Sequence, residues 1–201
     1  MYNKFIAIEG NIGSGKTTLA HKLAEHLNSR LLLEEFEDNP FLRGFYQDPK
    51  RYGFSVEMSF LADRYHQLSK ALLHQDLFSP LLISDYAPFK SLIFAQANLT
   101  SAEIQLYKKF WEMSIGKLKE ADLIIYLIRP VESLKKNIAK RGREYEKNMS
   151  ENYLLKIKEG YESRFKQINK KKILRLEADK YDILGSQNDV ENISSLIMSM
   201  L

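Results

Sequence analysis

Short apolar runs alternate along the chain with longer segments in which apolar residues recur at helical spacing. Five of the short runs are apolar almost throughout, which is typical of parallel strands buried on both faces. These runs cover residues 5–8, 30–33, 81–84, 123–128 and 173–176. The alternation predicts an α/β fold in which helices cover a five-stranded parallel sheet.

The segments between these runs predict helices. These cover residues 16–28, about 54–75, about 103–119, 131–140, about 151–169 and about 190–200. Thr100 and Glu103 have the spacing of a capping box, which supports the start of the third helix. The connection ahead of the second helix is long and contains Pro40, Pro49 and Gly53, and connections of that length are often functional.

Composition and charge narrow the functional classes. The 201 residues are 44% apolar and 28% charged, as in an ordinary globular protein, and we expect a single domain. Because there is no cysteine, disulfides, thiolate metal sites and cysteine nucleophiles are excluded. The net charge of +4 is modest and does not by itself indicate binding to nucleic acid. The first apolar run is too short for a signal peptide, and no stretch could span a membrane. We therefore expect a cytoplasmic protein with neither a membrane nor a nucleic-acid partner.

A glycine-rich loop, EGNIGSGKTT, follows the first predicted strand and precedes the first predicted helix. It satisfies the P-loop pattern in the structural context that this pattern requires. Backbone N–H groups of such a loop converge on phosphate oxygens, Lys16 reaches the β- and γ-phosphates, and the Thr17 hydroxyl binds Mg²⁺. The alternative is a turn that only packs strand on helix. We expect a nucleoside triphosphate to be held by Gly10, Asn11, Ile12, Gly13, Ser14, Gly15, Lys16, Thr17 and Thr18.

Asp85 ends the third apolar run, at the sheet edge where ligands gather in open α/β folds. Its carboxylate is a second candidate ligand for Mg²⁺ or for a water bound to it, although a simple strand-end residue is the alternative. The guanine motif of regulatory GTPases, Asn-Lys-x-Asp, does not occur in the chain.

Four further segments resemble those of the deoxynucleoside kinases, and more closely the bacterial deoxyguanosine/deoxyadenosine kinase branch. They are LLLEEFEDNPFLRGFYQDPKRYGFSVEMSFLADRY, LLISDYAPFKSLIFA, KRGREYE and, more loosely, LRLEADKYDIL. The resemblance covers most of the chain. It implies a P-loop kinase three-layer sandwich with a helical lid at about 140–150. It also implies ATP- and Mg²⁺-dependent phosphorylation of a nucleoside 5′-hydroxyl in nucleotide salvage.

The resemblance also implies roles for individual residues. Glu34 matches the catalytic base, which would take the proton of the 5′-hydroxyl as the γ-phosphoryl group arrives; its neighbour Glu35 is the alternative. Tyr46 and Glu146 match residues that contact the sugar 3′-hydroxyl. The lid carries two arginines that close over the phosphates with Lys16, unless they form only a solvated basic helix end. These arginines are Arg141 and Arg143.

Family members usually form dimers, so we expect a homodimer. The helix predicted at about 103–119 carries more apolar residues than one core stripe requires, although ordinary core packing explains them nearly as well. These residues are Ile104, Phe110, Trp111, Ile115 and Leu118.

The sequence departs from the family after the third strand. Most members have Asp/Glu-Arg-Ser, whereas this chain has Asp85-Tyr86-Ala87. The missing arginine normally helps to hold the catalytic carboxylate and the phosphates. We expect Lys16, Arg141 and Arg143 to compensate for it.

A second departure concerns the base. Much of the family has Gln where Glu57 stands, and Gln offers one donor and one acceptor, matching adenine or cytosine. An ionised Glu offers acceptors only, which match the N1–H and 2-amino group of guanine. Arg64 lies two helical turns on, where it can donate to guanine O6 and N7. We expect deoxyguanosine to be favoured, then deoxyadenosine, unless Glu57 and Arg64 form only an ion pair on an exposed helix face.

Two other functions share part of this pattern. A thymidylate-kinase-like enzyme has the P-loop and lid arginines, but it needs further cations near the phosphate of its acceptor. The acidic, aromatic segment EEFEDNPFLRGFYQDP suits an uncharged sugar better. A non-catalytic nucleotide-binding module would need no carboxylate at position 34.

Overall fold

Five parallel strands form the central sheet in the computed structural model, which describes residues 4–36, 38–73 and 81–201. The strands pair in the order β2-β3-β1-β4-β5. They are β1 (Lys4–Gly10), β2 (Arg30–Leu32), β3 (Leu81–Ser84), β4 (Leu123–Ile128) and β5 (Ile173–Glu177). All five predicted strands are confirmed, with bounds shifted by only a few residues.

Eight α-helices surround this sheet in the described part of the chain. They are α1 (Lys16–His26), α2 (Leu42–Gln47), α3 (Pro49–Leu73), α4 (Lys90–Asn98), α5 (Ser101–Met113), α6 (Val131–Arg141), α7 (Glu151–Phe165) and α8 (Gln187–Met200). No helix within these described ranges combines the length and apolarity needed to cross a bilayer.

Two apolar cores lie on opposite faces of the sheet. Alternate side chains of β1 point to opposite faces, so that Ile6 and Ile8 enter one core and Phe5 and Ala7 the other. Helices α1 and α8 cover the first core, and α3, α4 and α7 cover the second. This arrangement confirms the three-layer α/β sandwich.

Helices α2 and α4 were not predicted, and both lie beside the cavity described below. The long loop predicted ahead of the second helix is wrong, because α2 forms within it and α3 already begins at Pro49. Proline is tolerated in the first turn of a helix, where its missing N–H has no intrahelical acceptor. Gly53 lies inside α3, where an added Cβ would stand 3.1 Å from the Asn98 carbonyl oxygen, so its lack of a side chain lets α3 and α4 approach closely.

The predicted capping box is present, since Thr100 and Glu103 bond reciprocally at the start of α5. The helix predicted to reach residue 119 instead ends at Met113. Of the apolar residues singled out there, Ile104, Trp111 and Ile115 pack in a core with α3 and α4, and Leu118 packs on a second core. Phe110 is exposed. Most of this apolar surface is therefore explained by packing within the chain.

Candidate active site

The glycine-rich loop joins β1, the middle strand of the sheet, to α1. Gly13 and Gly15 have φ values of +79° and +96°, a left-handed conformation that side chains disfavour. A Cβ at Gly13 would also lie 2.8 Å from the Leu134 carbonyl oxygen. Glycine is therefore required at this point of the loop by both backbone conformation and space.

Side chains outside the loop bind its carbonyl oxygens. Asn137 donates to the Gly13 carbonyl at 2.8 Å, and Arg129 donates to that of Ser14 at 2.9 Å. The Asn11 amide donates to the Leu154 carbonyl at 2.7 Å, which ties the loop to α7. With its carbonyls engaged in this way, the loop can present N–H groups to an anion.

Lys16 folds back over the loop in this structure. Its Nζ donates to the carbonyl oxygens of Gly10 and Asn11, at 3.0 and 2.9 Å. Burial, together with the positive charge of Lys90, lowers its pKa to about 8. A phosphate group bound nearby would offset both effects, so the loop suits a polyanion.

Thr17 and Asp85 lie together beside the loop. Thr17 Oγ1 donates to Asp85 Oδ2 at 2.6 Å, and the other carboxylate oxygen accepts the backbone N–H of Glu34 at 2.8 Å. A hydroxyl and a carboxylate are suitable Mg²⁺ ligands, and Mg²⁺ in such sites takes its remaining ligands from water and substrate phosphates. No cluster of three or more His, Cys, Asp or Glu that could hold a metal occurs among residues 4–36, 38–73 and 81–201. The site therefore fits Mg²⁺ bound with a triphosphate, rather than a metal held by protein alone.

Glu34 lies two residues beyond β2 with its carboxylate between two cations. Arg64 donates from Nε to Oε1 at 2.8 Å and holds a terminal nitrogen 2.6 Å from the same oxygen as an ion pair, and Lys90 Nζ lies 2.5 Å from Oε2. Burial alone would raise the pKa of Glu34, but Lys90 and Arg64 outweigh it and lower the pKa to about 2. Glu34 is therefore ionised at neutral pH, whereas Glu35 is exposed.

Lys90 was missed by the sequence analysis. We expected Lys16, Arg141 and Arg143 to compensate for the missing family arginine, but Glu34 is instead held by Lys90 and Arg64. That expectation is wrong for the contacts with Glu34. The residue after Asp85, Tyr86, is completely buried, and its hydroxyl donates to Gln67 Oε1 at 2.7 Å.

Arg141, the last residue of α6, and Arg143, two residues further on, both contact the carboxylate of Glu146. Glu146 is only 4% exposed and accepts from Nε of Arg141 at 3.1 Å and from a terminal nitrogen of Arg143 at 3.5 Å. The Arg143 guanidinium also lies 3.9 Å from the centre of the Phe36 ring. Arg141 is therefore an exposed residue at the end of α6 that is also paired with a buried carboxylate, and Arg143 is partly buried.

Tyr46 borders the same part of the cavity. Its ring lies 5.4 Å from that of Tyr145, and its pKa is raised by burial and by the nearby Tyr153 and Glu146. Tyr46 and Glu146 are therefore neighbours, as a shared contact with one sugar requires.

Two further residues of the cavity wall, Glu57 and Arg64, both belong to α3. Asn98 Nδ2 donates to Glu57 Oε1 at 2.7 Å, while Oε2 is buried and has no partner among the described residues. Burial raises the pKa of Glu57 to about 7. Arg64 donates to Ser91 Oγ at 2.9 Å in addition to Glu34. Both residues are at most 3% exposed, so they do not form an ion pair on an exposed helix face.

One cavity, with about 820 Å³ of empty space including its open mouth, joins all of these groups. Its lining includes Lys16, Thr17, Glu34, Glu57 and Asp85, together with Arg141 and Arg143. Aromatic side chains supply much of the wall: Phe36, Phe45, Tyr46, Phe60, Phe94 and Tyr153. A flat, apolar group with polar edges fits such a cavity.

A further buried carboxylate, that of Glu9, lies next to the site but does not line the cavity. Glu9, at the end of β1, is fully buried and accepts the Ala87 backbone N–H at 2.6 Å and the Tyr161 hydroxyl at 2.7 Å. It therefore connects the end of β1 with the β3–α4 turn and with α7. Its single acidic letter in an apolar strand, just before the loop, was the signal that could have identified it.

Comparison with known proteins agrees with this geometry. The chain is 34% identical to the deoxyguanosine kinase of Bacillus subtilis (strain 168), over 98% of this chain and 97% of the relative. It is 29% identical to the deoxyadenosine/deoxycytidine kinase of the same organism, over 99% and 94%. A structure of deoxyadenosine kinase from M. mycoides, solved with the products dCMP and dCDP, superposes with a TM-score of 0.83 at 25% identity, covering 97% of this chain and 99% of that one. The deoxynucleoside kinase family model matches residues 6–201, and the chain is therefore a phosphotransferase of the deoxynucleoside kinase family.

Proposed function

We propose that this enzyme transfers the γ-phosphoryl group of ATP to the 5′-hydroxyl of a purine deoxynucleoside, with deoxyguanosine favoured over deoxyadenosine. The observation that carries the proposal is the position of Glu34. Its ionised carboxylate lies in the same cavity as Lys16 and Thr17 of the phosphate loop. A carboxylate at that point serves an alcohol acceptor, and a module that only bound nucleotides would not need it.

The loop residues Gly10–Thr18 hold the triphosphate, and Lys16 leaves the loop carbonyls to contact the β- and γ-phosphates. Thr17 and Asp85 supply the protein ligands of Mg²⁺, which neutralises phosphate charge when it is bound. Arg141 and Arg143, in a lid at about 140–150, stabilise the charge that develops on the transferring group.

Glu34 accepts a hydrogen bond from the 5′-hydroxyl and orients it toward the γ-phosphorus. A carboxylate with a pKa of about 2 is a weak base, so it takes the proton only as the new O–P bond forms and the hydroxyl becomes acidic. Positioning and charge therefore contribute more than basicity, as in other phosphoryl transfers.

Tyr46 and Glu146 bind the sugar through its 3′-hydroxyl. Glu146 also holds both lid arginines, so the sugar-binding residues and the phosphate-binding residues are physically connected. Binding of the deoxyribose to Glu146 therefore helps to position the two lid arginines that this carboxylate holds.

Guanine preference is supported by the unpartnered oxygen of Glu57. Ionised, it accepts the N1–H and 2-amino group of guanine, which are adjacent donors on one edge. Arg64 retains N–H groups beyond those used by Glu34 and Ser91, and these can donate to guanine O6 and N7. Adenine has an amino group where guanine has O6. That amino group would face the N–H groups of Arg64, so that two hydrogen-bond donors would point at each other.

A panel of nucleosides with ATP and Mg²⁺, scored for the 5′-monophosphate, tests the proposal. We expect deoxyguanosine to give the highest kcat/KM, then deoxyadenosine. Thymidine monophosphate should not be phosphorylated, whereas a thymidylate-kinase-like enzyme would prefer it. If no nucleoside accelerated ATP turnover, a non-catalytic module would replace the proposal.

We also expect a homodimer in the cytoplasm. The exposed side chains of Leu106, Phe110 and Met113 on α5 provide an apolar strip that supports association. Analytical ultracentrifugation at micromolar protein concentration tests the proposed dimer, and a monomer at that concentration would contradict it.

A further inference from the structure

Lys90 is the first residue of α4 and is only 4% exposed. A lysine is almost never fully buried unless its charge is paired, because taking an ammonium group out of water is costly. Its partner is the Glu34 carboxylate, with Nζ 2.5 Å from Oε2. The burial of Lys90 is therefore tied to the one carboxylate assigned to the acceptor alcohol.

The position of Lys90 relates to the family arginine that this chain lacks. Tyr86 stands in its place, with its hydroxyl occupied by Gln67, so it supplies no positive charge. The chain then turns, with the Lys90 N–H donating to the Ala87 carbonyl at 3.0 Å. Ala87 is itself fixed by Glu9. The turn brings the first side chain of α4 to the carboxylate.

The charges around Lys90 come from several elements. Glu34 follows β2, Arg64 is on α3, Lys16 is on α1, and Glu9 ends β1. Burial raises the pKa of Glu9, and the positive charge of Lys90 opposes that rise; the same charge adds to the burial that lowers the pKa of Lys16, and it helps to lower the pKa of Glu34. Lys90 thus contacts Glu34 directly and acts electrostatically on Lys16, the lysine proposed to bind the phosphates.

The hydrogen bonds to Glu34 divide between its two oxygens. Arg64 donates from Nε to Oε1 and places a terminal nitrogen beside the same oxygen as an ion pair, while Lys90 donates to Oε2. An ionised carboxylate can accept about four hydrogen bonds, so acceptor capacity remains for the 5′-hydroxyl. The two cations fix the plane of the carboxylate, and with it the direction from which it can accept a further hydrogen bond.

We propose that Lys90 is a positioning residue that holds the Glu34 carboxylate toward the acceptor hydroxyl, so that a lysine from α4 does what an arginine at position 86 does elsewhere in the family. This inference rests on the proposed function, because it concerns the same transfer step. It assigns to Lys90 a role in the rate of transfer and not in nucleoside affinity.

Single-turnover phosphorylation of deoxyguanosine, which excludes product release, tests the inference with Lys90→Met and Lys90→Arg. We expect Lys90→Met to slow transfer by about 100-fold, as removal of one preorganised electrostatic partner does, with nucleoside affinity changed less than about 3-fold. Lys90→Arg keeps the charge and should recover most of the rate. Lys109→Met removes an exposed lysine of α5 and serves as the matched control.

The division between rate and affinity, with rescue by Lys90→Arg, separates positioning from a structural role. A positioning role predicts slower transfer at nearly unchanged nucleoside affinity, and recovery of the rate when a second cation stands at position 90. A merely structural role would lower the transfer rate and weaken nucleoside binding together. Should Lys90→Met not fold, Lys90→Gln, which keeps a polar end, takes its place under the same criteria.

A folded Lys90→Met variant with a rate within about 3-fold of the parent, or one that loses rate and nucleoside affinity equally, overturns the inference. Such a result would leave the kinase itself intact. Loss of the proposed function looks different, because the unaltered enzyme would then phosphorylate no nucleoside at all.

Discussion

Thr17 Oγ1 donates to Asp85 Oδ2 at 2.6 Å, which joins the first turn of α1 to the end of β3. The second oxygen of Asp85 accepts the backbone N–H of Glu34, so one carboxylate connects the hydroxyl proposed to bind Mg²⁺ with the residue proposed to receive the alcohol. Displacement of Asp85 would disturb both ends of the transfer.

Asp85→Asn tests this connection. An amide keeps an acceptor for one of the two bonds but is a neutral, weaker Mg²⁺ ligand. We expect kcat to fall by about 100-fold and the Mg²⁺ concentration for half-maximal rate to rise. Asp63→Asn, an exposed change on α3, should alter neither quantity. An unchanged Mg²⁺ requirement in Asp85→Asn would remove Asp85 from the metal site.

Gly13→Ala tests the conformation of the phosphate loop. Alanine at φ +79° is strained, and its Cβ would press on the Leu134 carbonyl oxygen. Strain of this kind costs about 1–3 kcal/mol, so we expect ATP to bind about tenfold or more weakly. Calorimetric titration of ATP and of deoxyguanosine gives both affinities, and the nucleoside affinity should be retained. Equal loss of both would indicate general unfolding instead.

Glu57→Gln tests whether Glu57 determines the proposed preference for guanine over adenine. A Gln amide opposite the base supplies one donor and one acceptor, which adenine matches and guanine does not. We expect the ratio of kcat/KM for deoxyguanosine over deoxyadenosine to fall by about tenfold or more, the value of one hydrogen bond to a charged group. Glu112→Gln on the outer face of α5 should leave the ratio alone. An unchanged ratio in Glu57→Gln removes the base assignment and leaves the kinase activity intact.

The same residue predicts a preference that depends on pH. Below its pKa of about 7, Glu57 is protonated and resembles Gln; above it, the ionised form accepts both guanine donors. Since the ionised fraction rises about tenfold between pH 6 and 8, the deoxyguanosine preference should rise by about the same factor. In Glu57→Gln the ratio should stay flat across this range. A parallel slope in both proteins would assign the titration to another group.

The ionisation of Glu57 should also affect folding stability. Stability should fall as pH rises, whereas the deoxyguanosine preference should increase. A carboxyl whose folded pKa is raised from 4.5 to about 7 contributes stability that is fully present below pH 4.5 and is lost as pH rises through 7. Glu57→Gln should therefore be more stable than the parent at pH 8, by up to about 3 kcal/mol, and the gap should narrow at pH 5. Urea unfolding at the two pH values measures it, and a gap that widened toward pH 5 would contradict it.

The sequence predicted the strands, the phosphate loop and the candidates Glu34, Glu57 and Arg64, because each has a local pattern or a family motif. It did not predict α4, which is packed between α3, α5 and α7 and so lacks the polar face that marks an amphipathic helix. The pairing of Glu34 with Lys90 was missed for a related reason. These residues are 56 positions apart and meet only because β2 lies beside β3 in the sheet.

The same distinction applies to Arg64. Its spacing from Glu57 was visible in the sequence, but its bonds to Glu34 and Ser91 depend on how α3 packs over the strand ends. Helical periodicity predicts which residues share a face of a helix. It does not predict which acceptors their side-chain N–H groups will bond.

Gly53 does not line the cavity, but it sets how closely α3 and α4 approach each other beside it. Asn98 lies at the end of α4, and its amide reaches Glu57 across the gap that Gly53 narrows. A methyl group at position 53 would push α3 and α4 apart and shift Asn98 relative to Glu57, where we propose that the base binds. Under that proposal, the fit of a nucleobase depends also on a residue that does not line the cavity.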